Sequence, residues 1–428
     1  MSYYPRRTHR VFPKNLAASR SAPSPYLAVN FVSLFSSLPR QDKFMYTCPI
    51  DAEPLDRYKR GGYHPIRLGS SLCDGRYKIL HKLGWGGYST VWAARDQRKG
   101  NYVAVKICVS ETGCDSVRRE LNILKELASG RSYSQYVMRL IDHFQLDGPN
   151  GAHCCLVLEL LGPSVPDMID MRFSDGRLPG PLAKTIAKQA LLGLDFLHQQ
   201  KIAHGDLHTR NLAFIIDAQG DVPEQEFVET LGRPEIGRVD RSDGKDLGPG
   251  VPQYIVRPVR RLPYRSSPSI KIVDFGESFL QQSAPQTLHT PLPVRAPEVI
   301  FGDHLDYRVD LWSLGCMIFE LFVGQPPFDS FLITPKLLVD QMQELINEPL
   351  PERWQGLWET MSGEVTTESS KIRLQEWLEE MYFDGERNAD LTGDDIIRLG
   401  HIIQKLLRFE PSARASAREI LDDPWFRD

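Results

Sequence analysis

Residues 310–324, DLWSLGCMIFELFVG, would be apolar on nearly every side of a helix. Such a helix is buried, so the chain has to build a core around it. The material is present: 428 residues, 41% hydrophobic and 25% charged, are ordinary for a globular protein. The length suits two to three domains or one large two-lobed unit. The order of the other segments favours two lobes. Residues 77–92, YKILHKLGWGGYSTVW, alternate apolar and polar around a glycine turn, as a hairpin does. YVAVKICV (102–109) is another strand, and CCLVLELLG (154–162) is a buried one. Between them DSVRRELNILKELASG (115–130) reads as a helix, with Asp115 or Ser116 capping its start and Gly130 closing its end. Beyond these strands Leu182, Ile186, Leu194 and Leu197 recur at helical spacing, and SAREILDDPWF (416–426) opens with a capping box of Ser416 and Glu419. Strands first and helices after predict an α+β chain with two lobes of different class.

Seven cysteines, an odd count without framework spacing, fit a reducing compartment, and the Cys154-Cys155 pair reads as part of a buried strand. No apolar run approaches the roughly 20 residues that cross a bilayer. The net charge of −4 argues for no particular partner, but its distribution is uneven. Residues 1–41 hold six Lys/Arg and no Asp/Glu, with many Ser, Pro and Ala. Three readings stay open: a disordered tail extending to residue 48, a mitochondrial presequence, or a misplaced start. Residues 340–395 hold 15 Asp/Glu against four Lys/Arg, a net of −11, leaving about +7 elsewhere. A local field of that sign favours cationic partners. Asp340, Glu344 and Glu348, about one helical turn apart, are expected to share one face.

Residues 217–268 break the order of the elements. Seven Pro and six Gly in 52 residues, with no sustained periodicity, read as a flexible insertion. Its end, YIVRPVRRLPYRSSPS, carries four Arg and no acid.

The residues able to do chemistry come in a fixed order. GWGGYSTV (84–91) fits G-x-G-x-x-G-x-V with Ser89 in the third glycine place, and small residues there let backbone N–H groups approach phosphate oxygens. Alone, such glycines simply make a turn. VAVK then places Lys106 on a strand, and Glu120 lies on the following helix, where the two could pair. Asp206 and Asn211 stand five apart in a loop after a buried helix. VDFG puts Asp274 directly after the strand SIKIV. RAPEV (295–299), DLWSLG (310–315) and FEPSAR (409–414) complete the series. Each element is common by chance, but the ordered set matches the protein-kinase signature.

Over residues 77–427 the sequence therefore resembles a eukaryotic-type protein kinase. The resemblance implies a β-rich N-lobe (77–160), a mainly helical C-lobe (161–427) and ATP in the cleft between them. It assigns Lys106 to the α- and β-phosphates, with Glu120 orienting it. Leu83, Gly84, Gly86, Gly87, Ser89, Val91, Glu159 and Leu161 would contact the nucleotide. Asp206 would accept the substrate hydroxyl proton, Asn211 and Asp274 would hold two Mg2+ ions, and Glu298 would pair with Arg414. YKRGGYHPIRLG (58–69), RYKILHKLGWGGYSTVWAARD, VLELLGPSV after the gatekeeper Leu158, and RAPEVIFG narrow the resemblance to the SR-protein kinases. Residues 49–76 would then be an extension packed on the kinase, and 217–268 would occupy the place of that family's spacer. The family phosphorylates serines beside arginines in splicing factors. The implied partner is a basic Arg/Ser-rich protein, with no direct nucleic acid or membrane contact. The implied state is a monomer in the cytoplasm and nucleus.

IAHGDLHTRNLAF (202–214) departs from the usual pattern. Gly205 stands where many kinases have an arginine that docks a phosphorylated activation loop, and SR-protein kinases are similar in lacking it. His208 stands where serine/threonine kinases place a lysine for the γ-phosphate. Arg210, four residues after Asp206, is expected to supply that cation. HGDLH also occurs in kinases of small molecules such as aminoglycosides and choline, which lack APEV and DLWSLG. A small-molecule phosphotransferase and a kinase-fold scaffold are the alternative functions. The scaffold predicts loss of a phosphate or metal ligand, whereas Lys106, Asp206, Asn211 and Asp274 are all present.

Overall fold

The computed structural model describes residues 45–110, 115–130, 133–216, 222–259, 268–328, 333–362 and 373–427. The tail 1–41 and the arginine-rich run 260–267 lie outside them.

In chain order, β1 (Tyr46–Thr47) precedes a six-stranded antiparallel sheet: β2 (Ser71–Leu72), β3 (Tyr77–Gly86), β4 (Ser89–Asp96), β5 (Tyr102–Cys108), then α1 (Asp115–Ser129), β6 (Leu140–Gly148) and β7 (Gly151–Glu159). The spatial order is β2-β3-β4-β5-β7-β6. Side chains alternate across a strand, and β5 shows the result. Val103, Val105 and Ile107 face Ile79, Trp92 and Val157 in one apolar cluster, whereas Lys106 points to the other face, toward α1. Register places Lys106 opposite Val91 of β4, and Gly86 opposite Ser89, so Gly87 and Tyr88 close the glycine turn.

The C-lobe contains α2 (Val165–Arg172), α3 (Gly180–Gln199), and the short strands β8 (Ile202–Ala203) and β9 (Leu212–Phe214). The insertion follows with α4 (Glu224–Leu231), β10 (Ile236–Arg238), β11 (Asp240–Arg241) and β12 (Tyr254–Val256). Then come β13 (Ile270–Ile272), β14 (Phe279–Leu280), α5 (Pro297–Ile300) and α6 (Val309–Val323), followed by α7 (Pro335–Ile346), α8 (Glu352–Ser362), α9 (Leu374–Tyr382), α10 (Gly393–Leu406) and α11 (Ala417–Leu421). The apolar helix is α6. Every residue but Glu320 is buried, and α3, α9 and α10 pack against it. Trp312, Leu314, Phe319 and Phe322 are fully enclosed, each such side chain stabilising by about 1.5–3 kcal/mol. A Cβ on Gly315 would sit 2.8 Å from Leu407 Cδ2, so that glycine permits the α10 end to press on α6. Ser416 and Glu419 form their reciprocal cap at the start of α11.

The insertion is not a flexible loop over its described part. Phe227 of α4 stacks on Tyr102 at 3.7 Å, β10 pairs with β12, and β11 pairs with β1, so Tyr46 and Thr47, expected in the disordered tail, belong to the ordered extension instead. Ile50, Tyr58 and Tyr63 of the extension share a core with Val239, Val251 and Ile255 of the insertion and with Val109. Two of the glycines that suggested flexibility serve close approach: a Cβ on Gly237 would meet Ile50 Cγ1 at 2.5 Å, and one on Gly250 would meet Asn150 Oδ1 at 2.1 Å. The apolar residues face partners far away in the chain, so no local periodicity reveals them.

The acidic region also differs from expectation. The helix α7 ends at Ile346, with Asn347 left-handed at φ 54°, so Glu348 lies beyond it and does not continue the face of Asp340 and Glu344. Asp340 pairs with Lys336 at 2.8 Å, and Glu348 pairs with Arg408.

Candidate active site

The site lies where the two lobes meet. Alternation in β5 delivers Lys106, whose Nζ lies 2.7 Å from Glu120 Oε1 on α1 and 3.0 Å from Asp274 Oδ1 after β13. Burial alone would lower the Lys106 pKa, but the Asp274 and Glu120 carboxylates outweigh it and hold the value well above the ordinary 10.5. Glu120 is shifted upward, because burial outweighs the lysine's attraction. Asp274 is pulled below its ordinary value, chiefly by Lys106. Its side chain is 52% exposed toward the cleft, and its φ of +63° is a left-handed conformation that Asp tolerates better than most residues. Phe275 beside it is fully buried, edge-on to His204.

The loop after β8 brings Asp206 and Asn211 together. Asn211 Nδ2 donates to the Asp206 carbonyl at 2.8 Å and to its Oδ2 at 3.2 Å. Asp206 Oδ1 is buried and accepts no hydrogen bond. The loop is held from below by Asp310, at the first turn of α6, whose carboxylate accepts the N–H groups of His204 (2.7 Å) and Gly205 (2.8 Å). Gly205 is left-handed at φ +77°, and a Cβ there would lie 2.5 Å from the Glu277 carbonyl oxygen. The backbone thus needs glycine at this position as it stands. From above, Ser278 donates to the His204 carbonyl at 2.9 Å and Thr290 to the Gly205 carbonyl at 2.7 Å. From sequence, Asp310 reads only as part of the DLWSLG motif, and Ser278 and Thr290 only as possible phosphorylation sites of the activation loop. Only the position of Asp310, opening a helix that must be central, hinted at its role.

His208 and Arg210 are placed differently from the sequence expectation. His208 is buried with Nε2 3.6 Å from Asp206 Oδ2, while its Nδ1 accepts the Arg210 N–H at 3.2 Å. Arg210 is exposed, and its guanidinium makes no ion pair among the described residues. The structure does not bring Arg210 to Asp206. Glu298 and Arg414 form a buried bidentate pair at 2.6 and 2.7 Å.

Leu83, Val91 and Leu161 are partly buried against the main core near the glycine turn and the end of β7. Gly84, Gly86, Gly87 and Ser89 form that turn. The Glu159 carboxylate is already engaged, by the Lys271 ammonium at 2.7 Å and the Arg139 N–H at 2.8 Å, which leaves its backbone for any ligand.

A β-borne lysine paired with a helix glutamate, facing two aspartates across a cleft beneath a glycine turn, is the arrangement of a protein kinase. The protein kinase domain family matches residues 77–222 and 262–426, and the chain belongs to that family. The gap in the match falls on the insertion. "Serine/threonine-protein kinase SRPK" of Physarum polycephalum is 30% identical over 88% of this chain and 91% of its own length. "Protein kinase dsk1" of Schizosaccharomyces pombe is 25% identical over 88% and 85%. Human "SRSF protein kinase 3" is 37% identical over 38% of this chain and 29% of its own length. The protein is an ATP-dependent serine/threonine protein kinase related to the SR-protein kinases.

Proposed function

We propose that this kinase phosphorylates serines in basic, Arg/Ser-rich proteins, and that Mg2+ assists the transfer. One observation carries the catalytic reading: Asp206 Oδ1 is buried without a partner beside Asn211, within a loop fixed on both sides. An acceptor oxygen left without a partner, on a side chain that is itself 18% exposed, suits an incoming hydroxyl. Asp206 would take the serine proton as the serine oxygen bonds to the γ-phosphorus and the bond to ADP breaks. Lys106 would hold the α- and β-phosphates, kept charged and aimed by Glu120. The carboxylate of Asp274 and the amide of Asn211 are hard oxygen donors of the kind Mg2+ selects, and the metal would neutralise phosphate charge there.

Two observations support the basic substrate. The relatives include a kinase named for SRSF proteins, and the net −11 over residues 340–395 favours cations. The test is transfer of radiolabelled phosphate to an Arg-Ser peptide, an acidic Ser peptide and an aminoglycoside, with Lys106→Met as the inactive control. Labelling of the Arg-Ser peptide alone supports the reading. Preference for the acidic peptide or the aminoglycoside overturns the substrate, and full activity of Lys106→Met overturns the site.

A further inference from the structure

The N-terminal extension reaches the glycine turn. The Tyr63 hydroxyl donates to the Gly86 carbonyl at 2.8 Å. We propose that Tyr63 is a positioning residue for nucleotide, holding the glycine turn in its phosphate-binding shape from within the chain. The proposal rests on the kinase reading above and adds a residue to it.

Tyr63 is itself fixed on every side. It is 1% exposed. Its N–H donates to the Arg57 carbonyl at 3.0 Å, and its carbonyl accepts from Asn150 Nδ2 at 2.7 Å. The same Asn150 amide donates to the Gly250 carbonyl of the insertion at 2.8 Å. The ring lies 5.5 Å from that of Tyr58, and the Arg57 guanidinium sits over it at 5.1 Å. Gly62 is required for this path, because a Cβ there would overlap the Arg57 carbonyl oxygen at 1.8 Å. The hydroxyl is therefore presented by a rigid mount. The mount also grips the middle of β3, where Glu53 pairs with the fully buried Lys82 and accepts from the Tyr58 hydroxyl.

The peptide plane explains why one carbonyl matters. In a trans peptide the C=O of Gly86 and the N–H of Gly87 point in opposite directions. Tying the carbonyl to Tyr63 turns the Gly87 N–H away from the extension and keeps it as a donor for an anion. A glycine turn without such a tie samples many conformations, and nucleotide binding must then select one.

The test compares wild type with Tyr63→Phe, which keeps the ring and removes the hydroxyl. Three quantities are read: ADP affinity from a fluorescent ADP analogue, hydrogen exchange over residues 84–91, and melting temperature without nucleotide. The expected result is an ADP Kd weaker by about three- to tenfold, as for loss of one hydrogen bond, with faster exchange confined to the glycine turn. The melting temperature should stay within about a degree, because Gly86 lies near the surface and its carbonyl can turn to water. Tyr382→Phe, which loses its Asp390 contact in the C-lobe and touches neither the extension nor Gly86, should bind ADP like wild type. An unchanged Kd in Tyr63→Phe overturns the proposal. So does a loss of protection spread over the whole N-lobe with a matching drop in melting temperature, which would mark a merely structural role. ADP binding by wild type without labelling of an Arg-Ser peptide would count against the proposed substrate and leave this test in force.

Discussion

Nε2 of His208 lies 3.6 Å from Oδ2 of Asp206, and Arg210, two residues on, faces solvent. The separation is too long for a hydrogen bond but close enough to influence the carboxylate. The ring is oriented by the Arg210 backbone N–H on Nδ1, and its Nε2 lies 3.3 Å from Asn211 Nδ2, so the imidazole is held beside both Asp206 and Asn211. The sequence expectation gave the transition-state role to Arg210, but His208 is the residue placed beside Asp206, and the larger effect is expected there. His208→Ala should lower kcat roughly ten- to a hundredfold, in the range seen when one positioned polar group is lost. Arg210→Ala should change it less than about threefold. Steady-state kinetics on both variants with one peptide substrate checks the order, and a larger effect at Arg210 would restore the earlier assignment.

Activity should not depend on phosphorylation of the activation loop. Gly205 offers no side chain to bind a phosphate, and its own backbone leaves no room for one. Four hydroxyls lie in this loop, and the structure separates them. Ser283 and Thr287 are exposed, whereas Ser278 and Thr290 are buried and bonded to the catalytic loop. Phosphatase-treated protein and a Ser283→Ala/Thr287→Ala double variant should keep the wild-type rate. Thr290→Ala should lose stability and rate, since the buried Gly205 carbonyl loses its partner at about 1–3 kcal/mol. Silencing by phosphatase would show that another group reads a phosphate. Arg295 is the candidate, now engaged with the Thr290 carbonyl at 2.6 and 2.8 Å.

The ion pair of Lys106 should persist throughout the neutral range. A lysine pKa raised in the folded state gives stability that is complete below the ordinary 10.5 and is lost only as pH rises through the higher folded value. Asp274, shifted down, gives stability that is complete above its ordinary 3.8 and is lost as pH falls through the lower folded value. A profile of kcat/KM from about pH 6 to pH 10 should therefore show no limb from either group. A Lys106 limb near neutrality would mean that the lysine is not held between two carboxylates.

Glu120 should separate stability from function. Its upward shift means that burial opposes its charged form. Glu120→Gln removes that charge and leaves Lys106 paired with Asp274. Unfolding free energy should change by less than about 1 kcal/mol, in keeping with a buried ion pair being weak evidence for stability. Meanwhile kcat/KM should fall about ten- to a hundredfold, because the lysine is no longer aimed. Urea unfolding alongside kinetics checks both halves, and equal losses in the two would defeat the distinction.

Arg414→Ala should behave oppositely. It leaves the Glu298 carboxylate buried and uncompensated, which typically costs about 3–5 kcal/mol. Urea unfolding should register that loss, and a change below about 1 kcal/mol would mean that water reaches the carboxylate.

Much of this kinase was legible in its sequence, because the relevant information is local. The periodicity of β3 to β5, the all-round apolarity of α6, the Ser416–Glu419 cap and the spacing of Lys106, Glu120, Asp206, Asn211 and Asp274 are all set by neighbours a few residues apart, or by motif order. The tertiary structure decided what depends on distant partners. Asn150, for example, ties Tyr63 to Gly250 across 87 and 100 residues, and no local pattern announces such a contact. The insertion read as flexible for the same reason: its apolar residues find their partners in the extension and the N-lobe. The choice between His208 and Arg210 was likewise a matter of direction. Spacing says which residues are near Asp206 along the chain, but only the short helical turn after His208 decides which of them points inward.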